Sequence, residues 1–439
     1  MKSIDDLVQA LEARRAAGTV RDWRLFWSAA ETSRVGVRDG VRAGVHTPLT
    51  IGRSFGVEYL FQWDDGRLSS GAAEKIALGD PQRFLDIVRR AAHEDPDGAN
   101  FAGPATIPDV PLHSPAVAGE ARSGGAVSFA PLVESGGARA AAWSFRTWSG
   151  SVSATERRSG VLTSRGLSVE MESTIAAYSF WYEGLNGDGH SSREMIPAGR
   201  AAERLERSCA LVKRLLEPDP SFVPGMLPVL LHPDVVDSLI FQFLMPNLHG
   251  SRIYHGQGAF PIDRFGSTER VFGPSLSLRL EPLVPMDPGS FRMTTEGVPA
   301  RAVNYIAEGR LVSPVLDMKY ARRLERQPAA GPSSADSLRL TGPPPVALED
   351  ALRGIDRGAM ILSLLGLHTQ DPSRGDFSVS APQTLAIRGG TLGGSVKAVL
   401  TGNFFDVLRD PALVFVSFEG FRTPGLLFPG SVGVDTRAA

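Results

Sequence analysis

Apolar residues recur at helical spacing at Ile4, Leu7, Val8 and Leu11 and stop at Gly18, with Ser3 and Asp6 placed like a capping box. The period then changes from helical to two. Trp23, Leu25 and Trp27 alternate, Val35 and Val37 lead to a turn at Asp39-Gly40, and Phe55, Val57, Tyr59, Phe61 and Trp63 alternate up to Asp64-Asp65-Gly66. A second helix is predicted over residues 81–92, capped by Asp80, opened by Pro81 and apolar along Phe84, Ile87, Val88 and Ala91. Residues 1–95 therefore read as an N-terminal α/β layer domain.

Residues 96–125 carry prolines at 96, 104, 108, 111 and 115 without periodicity, which predicts a linker. Residues 126–220 read as an antiparallel meander and a long helix. Its alternating runs are Trp143, Phe145, Thr147 and Leu167, Val169, Met171, Ser173, Ile175, and its turns are predicted at Ser149-Gly150, Arg165-Gly166 and Asn186-Gly187. The helix, over 200–217, has Ala202, Leu205, Cys209, Val212 and Leu216 on its apolar face. A further boundary falls at 218–224, and residues 221–439 read as a β-rich C-terminal domain. That domain opens with a strand at 226–231 and a helix that starts at Pro233 and turns Val236, Leu239, Ile240 and Phe243 to one side. Pro246 should end or kink this helix, leaving 247–258 as a loop with His249, His255 and three glycines. Strands follow around Leu276–Leu278–Leu280, Val303–Tyr305–Ile306 before Glu308-Gly309, Leu385–Ile387 before Gly389-Gly390, and Val396–Ala398–Leu400. Residues 327–345 read as a Pro/Gly/Ser loop and 347–364 as helical. The fold class is α+β.

A chain of 439 residues that is 42% hydrophobic exceeds what one core organises. A net charge of -2, with five lysines among 46 basic residues, gives no electrostatic drive toward nucleic acid or an anionic membrane. One cysteine excludes an internal disulfide, the N-terminus is a charged amphipathic helix, and no apolar run is long enough to span a bilayer; a cytoplasmic protein is expected. Cys209 lies on an apolar helix face and reads as a core residue. His93-Glu94 has no second histidine at metal-binding spacing, and neither a Gly-x-Ser-x-Gly elbow nor a Gly-x-x-x-x-Gly-Lys phosphate loop occurs.

Several segments together carry a family resemblance. They are Thr-Glu-Gly-Val-Pro-Ala-Arg at 295–301, Ile-Ala-Glu-Gly-Arg-Leu at 306–311, Arg-Gly-Asp-Phe-Ser at 374–378, Ile-Arg-Gly-Gly at 387–390, and Gly402-Asn403. In these the chain resembles the TldD/PmbA family, historically called modulator of DNA gyrase. That resemblance implies a metallopeptidase family whose members often pair as TldD-type and TldE-type subunits. Direct binding to gyrase or DNA has no basic patch to support it.

The family's TldD-type chains carry His-Glu-x-x-x-His on the helix after the first C-terminal strand. Counting back from Gly-Gln-Gly-Ala-Phe at 256–260, similar to the family's Gly-Thr-Ser-x-Phe, puts that motif on Phe241, Gln242 and Pro246. Zinc catalysis needs imidazole or carboxylate lone pairs and a proton-accepting Glu, which these residues do not supply. The C-terminal cysteine of TldD-type chains is also missing. The resemblance thus implies a TldE-like, noncatalytic subunit of a heterodimeric peptidase acting on unfolded or small, including modified, peptides, with the zinc held by a TldD-like partner and none in this chain. Without a metal to hold, Phe241 is expected to be packed in apolar surroundings. The alternative is a stand-alone enzyme with a nonstandard metal or catalytic site, drawing on His232, His249, His255 or His368. Segments 295–301 and 369–378 are the candidates for lining a peptide cleft, with Glu296, Gly297, Arg301, Gly375, Asp376, Phe377, His249 and His255 as the residues in question.

Overall fold

The long alternating runs at the N-terminus pair with the strands that follow residues 96–125. In the computed structural model, which describes residues 2–37, 46–74, 79–123 and 126–434, they form one six-stranded antiparallel sheet. Its order is Leu68–Glu74, His46–Trp63, Val20–Val37, Trp148–Thr163, Ser168–Tyr182, Leu185–Ser192. The segments 1–95 and 126–220 therefore share a single sheet.

Because side chains alternate across a strand, this sheet has two distinct faces. Trp23, Leu25 and Trp27 point to one of them and pack against Leu7 and Leu11 of the Lys2–Ala16 helix and Phe84, Leu85 and Val88 of the Pro81–Arg90 helix. On the same face Val152, Ala154, Tyr178 and Phe180 meet Val117 and Ala121 of Pro115–Ser123, Phe129 and Leu132 of Ala126–Ala142, and Leu205, Cys209 and Val212 of Ala198–Leu215. Burying each large side chain contributes about 1.5–3 kcal/mol. The second face carries Arg24, Phe26, Arg157, Ser159, Met171 and Ser173, and it turns toward the C-terminal half.

That half is a barrel. Gly225–Leu231, Arg357–Leu365, Asp376–Arg388, Thr391–Asn403 and Gly425–Val434 pair in sequence, and the last strand returns to the first, so the ring closes without an edge. Val414–Ser417 and Val346–Ala347 extend it on one side. A four-stranded antiparallel sheet, ordered Arg310–Leu311, Val303–Ala307, Ser277–Leu280, Leu338–Thr341, packs with the barrel into the largest core cluster. Among the described residues no helix is long and apolar enough to cross a membrane.

Several local expectations are corrected. Ser3 lies inside the first helix rather than capping it. Ile87 is exposed, and Leu85 takes its place on the buried face of Pro81–Arg90. On Ala198–Leu215 the buried stripe runs through Ala201, Leu205, Cys209, Val212 and Leu215, one step from the expected Ala202 and Leu216. Residues 115–123 and 126–142 are helices, not linker and strand, since their alanines favour helix, and the alternating Trp143, Phe145 and Thr147 fall in the turn that follows. Ser149-Gly150 and Asn186-Gly187 lie inside strands, and the turn falls at Glu183-Gly184 with both residues at positive φ. Residues 327–345 include a short 3-10 turn and the strand Leu338–Thr341. Only Leu348–Arg353 of the predicted 347–364 helix is helical; residues 359–361 are fully buried in the barrel, and a short continuous apolar run does not distinguish strand from helix. The predicted Asp39-Gly40 turn lies outside the described residues.

Candidate functional site

The second face of the sheet and the C-terminal half enclose a cavity of about 970 Å³, at the upper end of the range for ligand sites. Its floor follows from strand alternation. On Trp148–Thr163 the residues Thr155, Arg157 and Ser159 share the face occupied by Met171, Ser173 and Ile175 on the next strand and by Arg24 and Phe26 on the previous one. Its roof comes from residues 288–298, 315–320 and 329–334.

Glu296 ties floor to roof at one end of this cavity. The Thr294 N–H donates to the Val298 carbonyl at 2.9 Å and Gly297 N–H to the Thr294 carbonyl at 3.0 Å, closing a tight hairpin. Gly297, at φ +88, forms the tip; a Cβ there would meet Leu167 at 2.5 Å, so only glycine lets the hairpin approach the sheet this closely. The Glu296 carboxylate faces Arg24 at 3.4 Å and accepts from the Met318 N–H at 2.8 Å. Next to it Asp317 caps the Met318–Arg323 helix, accepting from Tyr320 N–H at 2.7 Å.

His249 sits on the cavity wall, held by the Gly250 N–H bond to the Val315 carbonyl at 2.8 Å. Its side chain is exposed within the cavity, and partial desolvation there lowers its pKa, with Asp317 opposing and Arg252 assisting. Arg193, 6% exposed, is caged by carbonyl oxygens of Leu112, Thr174, Asp287, Pro288 and Ser290, and burial lowers its pKa to about 10.

The helix aligned with the family's metal motif lies outside the cavity; none of residues 233–248 lines it. It runs as Pro233–Leu239, a π-helical stretch Ile240–Leu244, and Met245–Leu248. Pro246 does not end it: the Met245 N–H reaches the Ile240 carbonyl five residues back, a widened turn directly before the residue that has no N–H to donate. The predicted loop after it contains a further short helix, Gly250–Tyr254. Phe241 is 38% exposed, which corrects the expectation that it packs in apolar surroundings; Phe243, fully buried against Phe377 and Phe404, has that role. Gln242 donates to the Gln370 carbonyl at 3.2 Å, and the buried Asn247 donates to Pro372 and Phe243 carbonyls at 2.7 and 2.6 Å. The 369–378 loop is thereby fastened to this helix. A phenyl ring, a proline and a tethered amide do not fit zinc.

Of the residues singled out from sequence, Glu296 and His249 line the cavity, and Gly297 shapes its wall. Arg301 is exposed and donates to the Pro328 carbonyl outside the lining. Gly375, Asp376 and Phe377 do not reach the cavity: Gly375, at φ +77, lies against Phe405, Asp376 accepts from Asn403 at 2.8 Å, and Phe377 is core. His255 is exposed beside Tyr320, and His232 caps the Pro233 helix between Phe418 and Phe421. His368 is exposed on a 3-10 turn. Among the described residues no three His, Cys, Asp or Glu side chains gather as a metal site. Sequence reading passed over Arg24, Arg157 and Asp317. Their signal was the polar Thr155, Arg157, Ser159 row, set on a strand whose other face, at Val152 and Ala154, is apolar.

Residues 224–433 match the PmbA/TldA metallopeptidase C-terminal domain. The whole fold is similar to TldE from Thermococcus kodakarensis (18% identity, TM-score 0.76, 97% of this chain and 99% of that one). Two proteins described as modulators of DNA gyrase are also similar. The one from Bacteroides thetaiotaomicron has 18% identity and TM-score 0.76 over 98% of each chain, and the one from Thermotoga maritima has 17% identity and TM-score 0.77 over 98% of this chain and 100% of that one. No curated protein matches by sequence. Together with the motifs at 295–301, 306–311 and 374–378, the match over residues 224–433 and the shared fold support the TldD/PmbA family.

Proposed function

We propose that this chain is a TldE-like, noncatalytic subunit that pairs in the cytoplasm with a TldD-like metallopeptidase and shapes the path of unfolded or small peptides to the partner's zinc. The observation that carries this reading is the donor set on the Pro233–Leu248 helix run. Where TldD-type chains present His, Glu and His, this chain has Phe241 turned to solvent, Gln242 bonded to the Gln370 carbonyl, and Pro246. The likeness to a TldE over nearly its whole length supports the same reading.

The test is to co-express the chain with a TldD-like protein from the same organism, and to assay peptide cleavage and bound zinc with each chain alone and with both. The expected result is co-purification, cleavage that needs both chains, and no stoichiometric zinc on this chain alone. One tightly held metal per chain, with activity lost on chelation, would instead establish the stand-alone enzyme. Full cleavage by the partner alone would also overturn the proposal.

A further inference from the structure

The two ends of the cavity carry opposite, uncompensated charges. At one end is Arg157, which no carboxylate approaches within ion-pairing distance among the described residues. At the other is Asp317, whose carboxylate caps a helix and, among the described residues, forms no ion pair; it adjoins Met318, which is bonded to Glu296 and through it to Arg24. The register gives the spacing. Arg24 pairs with Thr163, and Arg157 lies six residues earlier on that same strand, which at about 3.3 Å per residue separates the ends by roughly 20 Å. Between them Phe26 and Met171 supply apolar floor and Ser159 a hydroxyl, with Ser173 beside Arg157.

We infer that the cavity binds a short extended peptide of about five or six residues with both termini free, its carboxylate on Arg157 and its ammonium at Asp317. A length of roughly 20 Å matches such a peptide, and opposite charges at the two ends match its zwitterion. The apolar strip between them accepts varied side chains. Arginine presents a planar fork suited to a carboxylate. The inference rests on the peptide-path reading of this cavity but not on the partner. It is tested on this chain alone, so its failure leaves the co-expression result standing, and the reverse holds too.

The experiment is calorimetric titration of the full chain with the hexapeptide Ala-Leu-Ala-Phe-Ala-Leu in its free, C-amidated, N-acetylated and doubly blocked forms. A further doubly blocked peptide carries an internal aspartate. The free form should bind tightest, and each block should weaken it roughly tenfold, the size of one charge-assisted contact. Arg157→Gln should abolish the preference for the free carboxylate alone, Arg157→Lys should restore part of it, and Asp317→Asn, which keeps the helix cap, should abolish the preference for the free amine alone. Equal binding of all forms, no binding at millimolar peptide, or an unchanged preference in Arg157→Gln would overturn the inference. Binding of the internal-aspartate peptide as tight as the free form would assign Arg157 to a side-chain carboxylate and overturn the terminal assignment.

Discussion

Asp237 lies on the inner side of the Pro233–Leu239 helix, where burial pushes its pKa up from 3.8 to about 6, Thr423 partly offsets this by donating at 2.7 Å, and Asp234 and Asp336 add repulsion. Between those pH values the folded chain holds a proton that the unfolded chain has lost. The group's contribution to stability is therefore full below about pH 4 and gone above about pH 6. The shift corresponds to roughly 3 kcal/mol. Asp237→Asn keeps the oxygen that accepts from Thr423 and removes the buried anion. It should raise unfolding stability at pH 7.5 by up to about 3 kcal/mol and leave stability at pH 4 unchanged, as read by urea unfolding at both values. An equal gain at pH 4 would mean that ionisation is not the cause. Cys209 shows which residue-scale properties sequence does reveal: its place on an apolar stripe already marked it as core, and burial pushes its thiol pKa up to about 12. Asp237 is half-buried on its helix, where its carboxylate could equally have faced water, and only residues 419–423, which line the pocket beside it, decide.

At the scale of elements, the helix run from Pro233 to Leu248 separates two phenylalanines with opposite fates. Phe243 is completely buried between Phe377 and Phe404, while Phe241 is 38% exposed, so Phe243→Ala should cost about 3–5 kcal/mol. Phe241→Ala should cost less than about 1 kcal/mol. Thermal and urea unfolding of the two variants side by side decide the point, and a Phe241→Ala loss as large as that of Phe243→Ala would mean that the ring is packed after all. The apolar spacing of Val236, Leu239, Ile240 and Phe243 was legible in the sequence, as were the alternating strands and the Glu308-Gly309 and Gly389-Gly390 turns. The π-helical stretch was not, because a proline in a helical pattern reads as a stop, and nothing local signals that one widened turn can absorb it. The barrel strand at 357–365 was hidden for another reason: an apolar run buried on both faces has no period to read. The family motifs likewise marked segments without saying which way they face. Residues 295–298 shape the cavity, whereas 374–378 serve the helix junction at Asn403.

Across the whole molecule, the sheet and the C-terminal half are joined by shared apolar contacts, by ion pairs at the periphery and by the buried Arg193. The peripheral pairs, such as Arg323 with Asp97 at 2.8 Å and Arg388 with Asp219 at 2.7 Å, are partly solvated and each contributes about 1 kcal/mol or less. Arg193 differs. It leaves the end of the sheet, is 6% exposed, and donates to carbonyls on both sides of the junction: Leu112 and Thr174 on the sheet side, Asp287, Pro288 and Ser290 on the other. Asp287 is itself buried and pairs with Arg339 at 3.1 Å and with Arg422, so the cage is anchored in the C-terminal half. Replacing Arg193 with Met would leave several buried carbonyls without donors, at about 1–3 kcal/mol for each that water cannot reach. The loss falls on the junction rather than on either core, so it should uncouple the two halves. All six tryptophans, at 23, 27, 63, 143, 148 and 181, lie in the sheet half, so their fluorescence reports that half alone while far-ultraviolet circular dichroism reports both. In the unaltered chain the two signals should change together on heating. In Arg193→Met the tryptophan transition should come first, leaving a second transition in the dichroism for the barrel, since coincident probes are the signature of cooperative unfolding. Two signals that still coincide in the variant, at a lower midpoint, would show that the peripheral ion pairs and the shared apolar contacts hold the halves together without it.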